Sequence, residues 1–356
     1  MRMYFAVFAA LAAAVGATAI DRAEAQSLRK VTINYGVNQF APSTAPVFAI
    51  PKAMKFWEEE GLDVTIEGGA GGSAALQALV NKSSVMTFTG TPNQMQLRQA
   101  GVPLIAVAST YNRNIYYPVV KADSPIASLQ DLKGKTVGVC RMASACVYWL
   151  DAVLEAEGID PKTVAKVAPG DGAAAWHALN SGAVAGMMWW DAAYAQMETV
   201  GAKFKRFDKI AVMQGLTFIQ GLFVHEDLVK SDPKLITGLL RGIAKGVAFA
   251  KANPEAAVRI HWSVFPISKP ASLSEEKAMA NALIELNAQL NNIPDATKKA
   301  FGKVSLEDVK AVTKVMLDQK VIKTSFAPEQ YYTDQFIKAA NDFDVDAIAA
   351  KAKAHK

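Results

Sequence analysis

Gly68–Val80, GGAGGSAALQALV, places four glycines and a serine ahead of an alanine-rich run. Gly69-Ala70-Gly71-Gly72-Ser73-Ala74 satisfies the dinucleotide pattern G-x-G-x-x-A, and it follows the strand-like Asp63–Glu67, DVTIE. A dinucleotide site needs an acidic residue about 20 positions further on to hold the ribose, and that neighbourhood reads TFTGTPNQM. No Gly-Lys-Ser/Thr follows the glycines either. Both phosphate-cradle readings fail, and the stretch is a glycine turn opening a helix.

An internal echo gives that turn its meaning. Val31–Tyr35 leads through Gln39-Phe40 into a helical pattern, AMKFWEEEGLD, that stops at Gly61; Lys135–Val139 leads through Arg141-Met142 into SACVYWLDAVLEAEGID, which stops at Gly158. Gly72-Ser73 opens AALQAL, and Gly172-Ala173 opens AAWHAL. A short apolar strand follows each, Val85–Phe88 and Val184–Trp189. Thr91 and Asp191 then read as N-caps of the next helices, with Pro92 well placed in a first turn. The plan is two similar α/β lobes with mainly parallel sheets, whose ligands bind beyond the carboxyl ends of the strands. Residues 26–118 and 214–356 would form lobe 1 with its C-terminal helices, and 119–213 lobe 2. The crossings near Tyr117-Pro118 and Met213–Phe218 would serve as a hinge. Thr217–Val224 reads as a returning strand, and helices are expected around Pro233–Ala252, Ser274–Leu290, Ser305–Gln319 and Pro328–Asn341.

The first 25 residues combine Arg2, an apolar run and Ala23-Glu24-Ala25, the marks of a cleaved signal peptide. The expected location is the periplasm, without a lipid anchor, since no cysteine precedes Cys140. The net charge of +5 is too mild and dispersed for nucleic acid. Gly68–Ala122 nevertheless contains no Asp or Glu while carrying Lys82, Arg98, Arg113 and Lys121, which points to a positive surface. Cys140 and Cys146 read as two buried free thiols, with a bridge as the alternative. Neither they nor the four histidines have metal-ligand spacing, so neither a metal nor a cofactor is expected.

With these features the chain resembles the periplasmic solute-binding proteins of the nitrate, taurine and aliphatic-sulfonate branch, which share their fold with the thiamine-pyrimidine precursor proteins. The resemblance rests on STAPVFAIPKAMKFWEEEGLDV (Ser43–Val64), GGSAALQAL (Gly71–Leu79), GVPLIAV (Gly101–Val107), DSPIASLQDLKGKTVGV (Asp123–Val139) and WWDAAYAQ (Trp189–Gln196). It implies the type II periplasmic binding protein fold, a solute clamped between lobes, and delivery by a monomer to an inner-membrane ABC permease with a cytoplasmic ATPase. Met86 and Ala185 stand where the family often has Asp, and Pro51 where a lysine is common, so a kink is expected after Ile50. Relatives that are enzymes use a cysteine in the first cleft loop; here that loop reads NQFAPSTAP. A binding protein is therefore expected rather than an enzyme.

The expected ligand contacts lie on the converging loops. Gln39, Phe40, Ser43, Gly72, Ser73 and Thr91 come from one lobe and Arg141, Ser144, Trp190 and Asp191 from the other, with Tyr111 and Arg113 near the crossing. The helix end at Gly72-Ser73 offers unpaired amides to an oxyanion, and Arg141 or Arg113 could grip the same group with two parallel bonds. Ser144 is placed to cap the next helix. Phe40, Tyr111 and Trp190 could wall an organic body. The expected guest is a small organic anion such as a sulfonate, with a pyrimidine precursor or other aromatic nutrient as the alternative.

Overall fold

In the computed structural model, residues 27–294 and 300–355 are described; the expected signal peptide lies outside them. Ten strands appear: β1 (Arg29–Tyr35), β2 (Leu62–Gly68), β3 (Met86–Gly90), β4 (Leu104–Ser109), β5 (Tyr116–Lys121), β6 (Thr136–Val139), β7 (Ala165–Val167), β8 (Gly186–Trp190), β9 (Phe204–Arg206) and β10 (Gln220–His225). They form two five-stranded sheets, ordered β2-β1-β3-β10-β4 and β7-β6-β8-β5-β9. Four strands in each sheet share one direction, while β10 in the first and β5 in the second run antiparallel to both neighbours. The echo in the sequence is thus an echo in topology, with each sheet accepting one reversed strand. The chain leaves the first sheet after Ser109 and joins the second at Tyr116, so Tyr117-Pro118 lies within β5 and the crossing segment is 110–115. It returns through residues 207–219.

Alternation marks the edge strand β2 and its neighbour β1: Leu62 and Val64 are buried on β2 and Val31, Ile33 and Tyr35 on β1. The inner β3 is buried along its whole length, as expected of a strand covered on both faces. The helices Pro233–Ala252, Glu275–Leu290 and Leu306–Asp318 fall where expected, each begun by a side-chain cap from Asp232, Ser274 or Ser305. Two expectations fail. The helix expected from Ala53 to Gly61 breaks after Ala53, passes through Lys55 at φ 60° and continues as a short 3-10 turn at Glu58–Glu60. Between Pro328 and Asn341 only a 3-10 turn and the four-residue helix Ile337–Ala340 form.

The long helix Pro233–Ala252 carries Gly238, Gly242 and Gly246 at four-residue intervals, one stripe along its side. A Cβ at Gly242 would stand 2.2 Å from Trp57 Cδ1, and one at Gly246 2.2 Å from the Pro46 carbonyl oxygen. The irregular segment 45–60 lies against bare backbone there, and Trp57 Nε1 donates to the Leu239 carbonyl at 3.1 Å. This contact sets a sharp sign test. Helix propensity alone favours Gly246→Ala by about 1 kcal/mol, whereas overpacking against a backbone carbonyl costs about 1–3 kcal/mol. Gly246→Ala is therefore expected to lower the urea midpoint, and a raised midpoint would show that the segment does not lie against this stripe.

Candidate functional site

The carboxyl ends of the parallel strands in the two sheets face each other, and the space between them holds three cavities with shared walls. One of about 30 Å³ lies among Tyr35, Gly72, Thr89, Cys140, Ser144 and Trp190. A second of about 40 Å³ is bounded by Tyr35, Gln39, Ser43, Asp171, Trp190 and Glu285. Gln39, Asp171, Gln196 and Glu285 also wall an outer vestibule of about 410 Å³ that continues past Trp262 and Leu273. The inner two each have room for little more than a water molecule.

Glu285 sits at the centre of this space and is buried. Its carboxylate accepts from the Ser43 hydroxyl at 2.8 Å, the Ser43 amide at 3.4 Å and Gln196 Nε2 at 3.5 Å. Burial outweighs these bonds and pushes its pKa from the ordinary 4.5 up to about 7. The Tyr35 phenol is held neutral by burial, reinforced by the charges of Glu285 and Asp171.

Arg141 is committed elsewhere. Its two terminal nitrogens donate to the two oxygens of Asp171 at 2.8 and 2.6 Å, and further bonds reach the Cys140 carbonyl at 2.6 Å and Asn38 Oδ1 at 3.1 Å. This is a bidentate pair on the cleft wall and a strap to the opposite lobe. Arg113 Nε donates to Asn292 Oδ1, and Asn292 Nδ2 donates in turn to Asp191 at 2.9 Å. Asp191 is raised by burial and lies against Tyr117 and Asn292. The remaining bases of the acid-free stretch point away from the cleft: Arg98 pairs with Glu226, Lys121 with Asp123 at 3.2 Å, and Lys82 occupies an exposed turn. Among the described residues, no lysine, arginine or histidine lines any of the three cavities, whereas Asp171 and Glu285 do.

The sequence-derived candidates divide accordingly. Gln39, Ser43, Gly72, Ser144 and Trp190 line the cavities. Phe40 instead stacks on Phe265, with ring centroids 4.4 Å apart, and its carbonyl meets His261 Nε2 at 3.0 Å. Burial lowers the His261 pKa to about 4. Tyr111 is buried beside Gln289, away from the cavities. Thr91 and Asp191 are the first helical residues, preceded by Gly90 and Trp190 in cap position, and neither caps its helix. Ser144 occupies a cap position but donates to the Arg141 carbonyl at 2.7 Å instead of capping. At the helix Gly72–Val80, the Ser73 amide already donates to the Ala143 carbonyl of the other lobe at 3.3 Å. Cys140 and Cys146 are bridged, not free, with Cα atoms 6.0 Å apart, because the turn 140–144 folds the strand end back onto the helix start.

Tyr35, Asp171, Gln196 and Glu285 were not anticipated as site residues. Tyr35 and Asp171 were accessible to the strand-end rule, one ending β1 and the other lying within Gly170–Gly172. Glu285 lies mid-helix far along the chain and carries no local signal.

Residues 44–257 match the family model described as NMT1/THI5 like. The chain belongs to the NMT1/THI5-like family. The chain is similar to a riboflavin-binding protein, RibY, of Chloroflexus aurantiacus, 26% identical over 275 residues that span 74% of this chain and 75% of that one. Among solved structures, the periplasmic aliphatic sulphonate binding protein SsuA from Escherichia coli superposes with a TM-score of 0.62 at 16% identity, covering 85% of this chain and 91% of that one. The desulfurization enzyme DSZB superposes with a TM-score of 0.53 at 13% identity, covering 87% of this chain and 98% of that one. This NMT1/THI5-like chain therefore has the periplasmic binding protein fold, an architecture that binders and an enzyme share.

The elevated Glu285 pKa has a measurable consequence. A carboxyl whose folded pKa exceeds its unfolded value contributes its full stability below about 4.5, and that contribution is lost as pH rises through about 7. Glu285→Gln keeps an acceptor for Ser43 and cannot ionise. Relative to wild type, the variant is expected to gain stability between pH 4.5 and 7.5, by up to about 3 kcal/mol. A difference curve flat across that range would show that Glu285 titrates normally.

Proposed function

We propose that this chain is the solute-binding component of an ATP-driven importer, working as an exported periplasmic monomer. Its two lobes close on an uncharged or cationic, flat organic guest, with the segments 110–115 and 207–219 as hinges. The observation that carries this reading is the charge of the cleft: among the described residues no basic side chain lines its three cavities, Arg141 on the wall is paired with Asp171, and Glu285 is left as the carboxyl without a cationic partner. Tyr35 and Trp190 supply aromatic faces, and Gln39, Ser43, Gln196 and Glu285 supply polar edges. That combination suits a nitrogen heterocycle, such as a pyrimidine precursor or a flavin, and the riboflavin-binding relative agrees with it. A ligand closes such a clamp only by its differential affinity for the closed form, which a membrane permease then recognises.

The organic-anion expectation ranks second. A sulfonate would have to draw Arg141 from Asp171 and sit beside Glu285, leaving buried carboxylates without compensation. Cysteine-based catalysis has little chemical support, because Cys140, the thiol at the cleft edge, is held in a disulfide.

A thermal-shift panel of riboflavin, a formylated aminopyrimidine, taurine, an alkanesulfonate and nitrate tests the choice. Saturating heterocycle is expected to raise the melting temperature by about 5 °C or more, with compaction in small-angle scattering. A shift with the sulfonates alone would reverse the ranking.

A further inference from the structure

Loop Cys140–Cys146 of lobe 2 makes a direct backbone contact with lobe 1 in the cleft. Ala143 is its tip, and the Ala143 carbonyl accepts from the Ser73 amide at 3.3 Å and from Asn93 Nδ2 at 3.4 Å. Asn93 Nδ2 also donates to the Ser73 hydroxyl at 3.0 Å, so the receiving donors are themselves held in place. The surface beneath the loop is bare backbone. A Cβ at Gly71, where φ is +124°, would stand 2.9 Å from the Ala143 oxygen, and one at Gly90 2.2 Å from Ala145 Cβ. Beside the tip, Arg141 reaches across the cleft to Asn38. The bridge encloses the residues that make these contacts, Arg141 and Ala143, within a separation of six. Cys146 is fully buried, and Cys140 is 5% exposed on the wall of the cavity shared with Gly72 and Trp190.

We propose that the Cys140–Cys146 disulfide is a positioning element for the clamp, holding the Ala143 carbonyl where the glycine face of the opposite lobe receives it, so that the oxidised protein closes and retains its guest. This rests on the clamp reading above. Without the bridge, the loop must be ordered at each closure, and the closed population falls. Linkage makes the effect reciprocal: whatever closes the lobes also shields the bridge from reductant.

Scattering and guest titration on the same samples test the proposal. Dithiothreitol breaks the Sγ–Sγ bond by thiolate exchange, passing two electrons and two protons to the cysteines and leaving as its cyclic disulfide. Oxidised, reduced and reoxidised wild type are compared with Cys140→Ser/Cys146→Ser and with Gly90→Val, after circular dichroism shows each to be folded. Reduction is expected to enlarge the radius of gyration and weaken riboflavin or formylated aminopyrimidine binding about tenfold, with reoxidation restoring both. Bound guest should slow reduction of the bridge by a similar factor. Gly90→Val should mimic reduction while its bridge stays intact. A lower melting temperature with unchanged radius and affinity would reduce the bridge to a fold staple and overturn the proposal. If no panel compound binds wild type, the guest assignment fails, and the radius on reduction still decides the latch. Should the double serine variant not fold, the reduced and reoxidised wild type carry the comparison.

Discussion

Where two sheets turn their strand ends toward each other, backbone can approach backbone closely only where the facing surface carries no side chain. In this protein that condition is satisfied at Gly71 and Gly90, against the turn that carries Ala143. The helix end at Gly72-Ser73, by location an anion cradle, is spent on a carbonyl from the other half of the chain. One of its donors, the Ser73 amide, is thereby satisfied without a phosphate or sulfonate. The glycine cluster that resembles a nucleotide fingerprint is thus a seat for protein, and the space left for a guest lies further out, between Tyr35, Trp190 and Glu285.

Charge follows the same economy. The bidentate pair of Arg141 with Asp171 consumes the cation best placed to meet an anionic guest. Arg113 is occupied by Asn292, which in turn donates to Asp191 and links the helix ending at Leu290 to the start of the helix Asp191–Thr199. What remains facing the cavities is the Glu285 carboxyl, held by one hydroxyl, one amide and one distant carboxamide. A buried carboxylate supported by neutral donors alone favours its protonated form. It offers a guest either a proton or a negative charge, depending on what the guest brings.

The duplicated plan was legible because its punctuation is chemical: Gly61, Gly158, Gly72 and Gly172 mark turns in both halves, and the second sheet repeats the strand order of the first. The capped helices at Pro233, Glu275 and Leu306 were equally plain. The segment 53–61 misled because its apolar spacing suits a helix, while its packing against the glycine stripe of Pro233–Ala252 requires an irregular path. Loop residues on the cleft could be named from strand ends, yet Phe40 and Tyr111 turned to the core, since a strand-end position does not set the direction of a side chain on an irregular loop. Glu285 was invisible for a different reason. It reaches the cleft through helix packing that joins residues far apart in sequence, and no local pattern encodes such a contact.

The vestibule adds a last constraint on entry. Its outer wall is built from Trp262, the turn after Pro266 and the helix Glu275–Leu290, all from the C-terminal part of the chain, while Gly172, Ala173 and Gln196 of the second half face them. The guest path therefore crosses the same boundary that the Arg141–Asn38 and Ala143–Ser73 contacts hold together. In the clamp proposed above, a molecule that touches Tyr35 would separate those contacts on entry and be enclosed when they re-form, so the bonds at the glycine face would govern retention while the pocket wall governs selection.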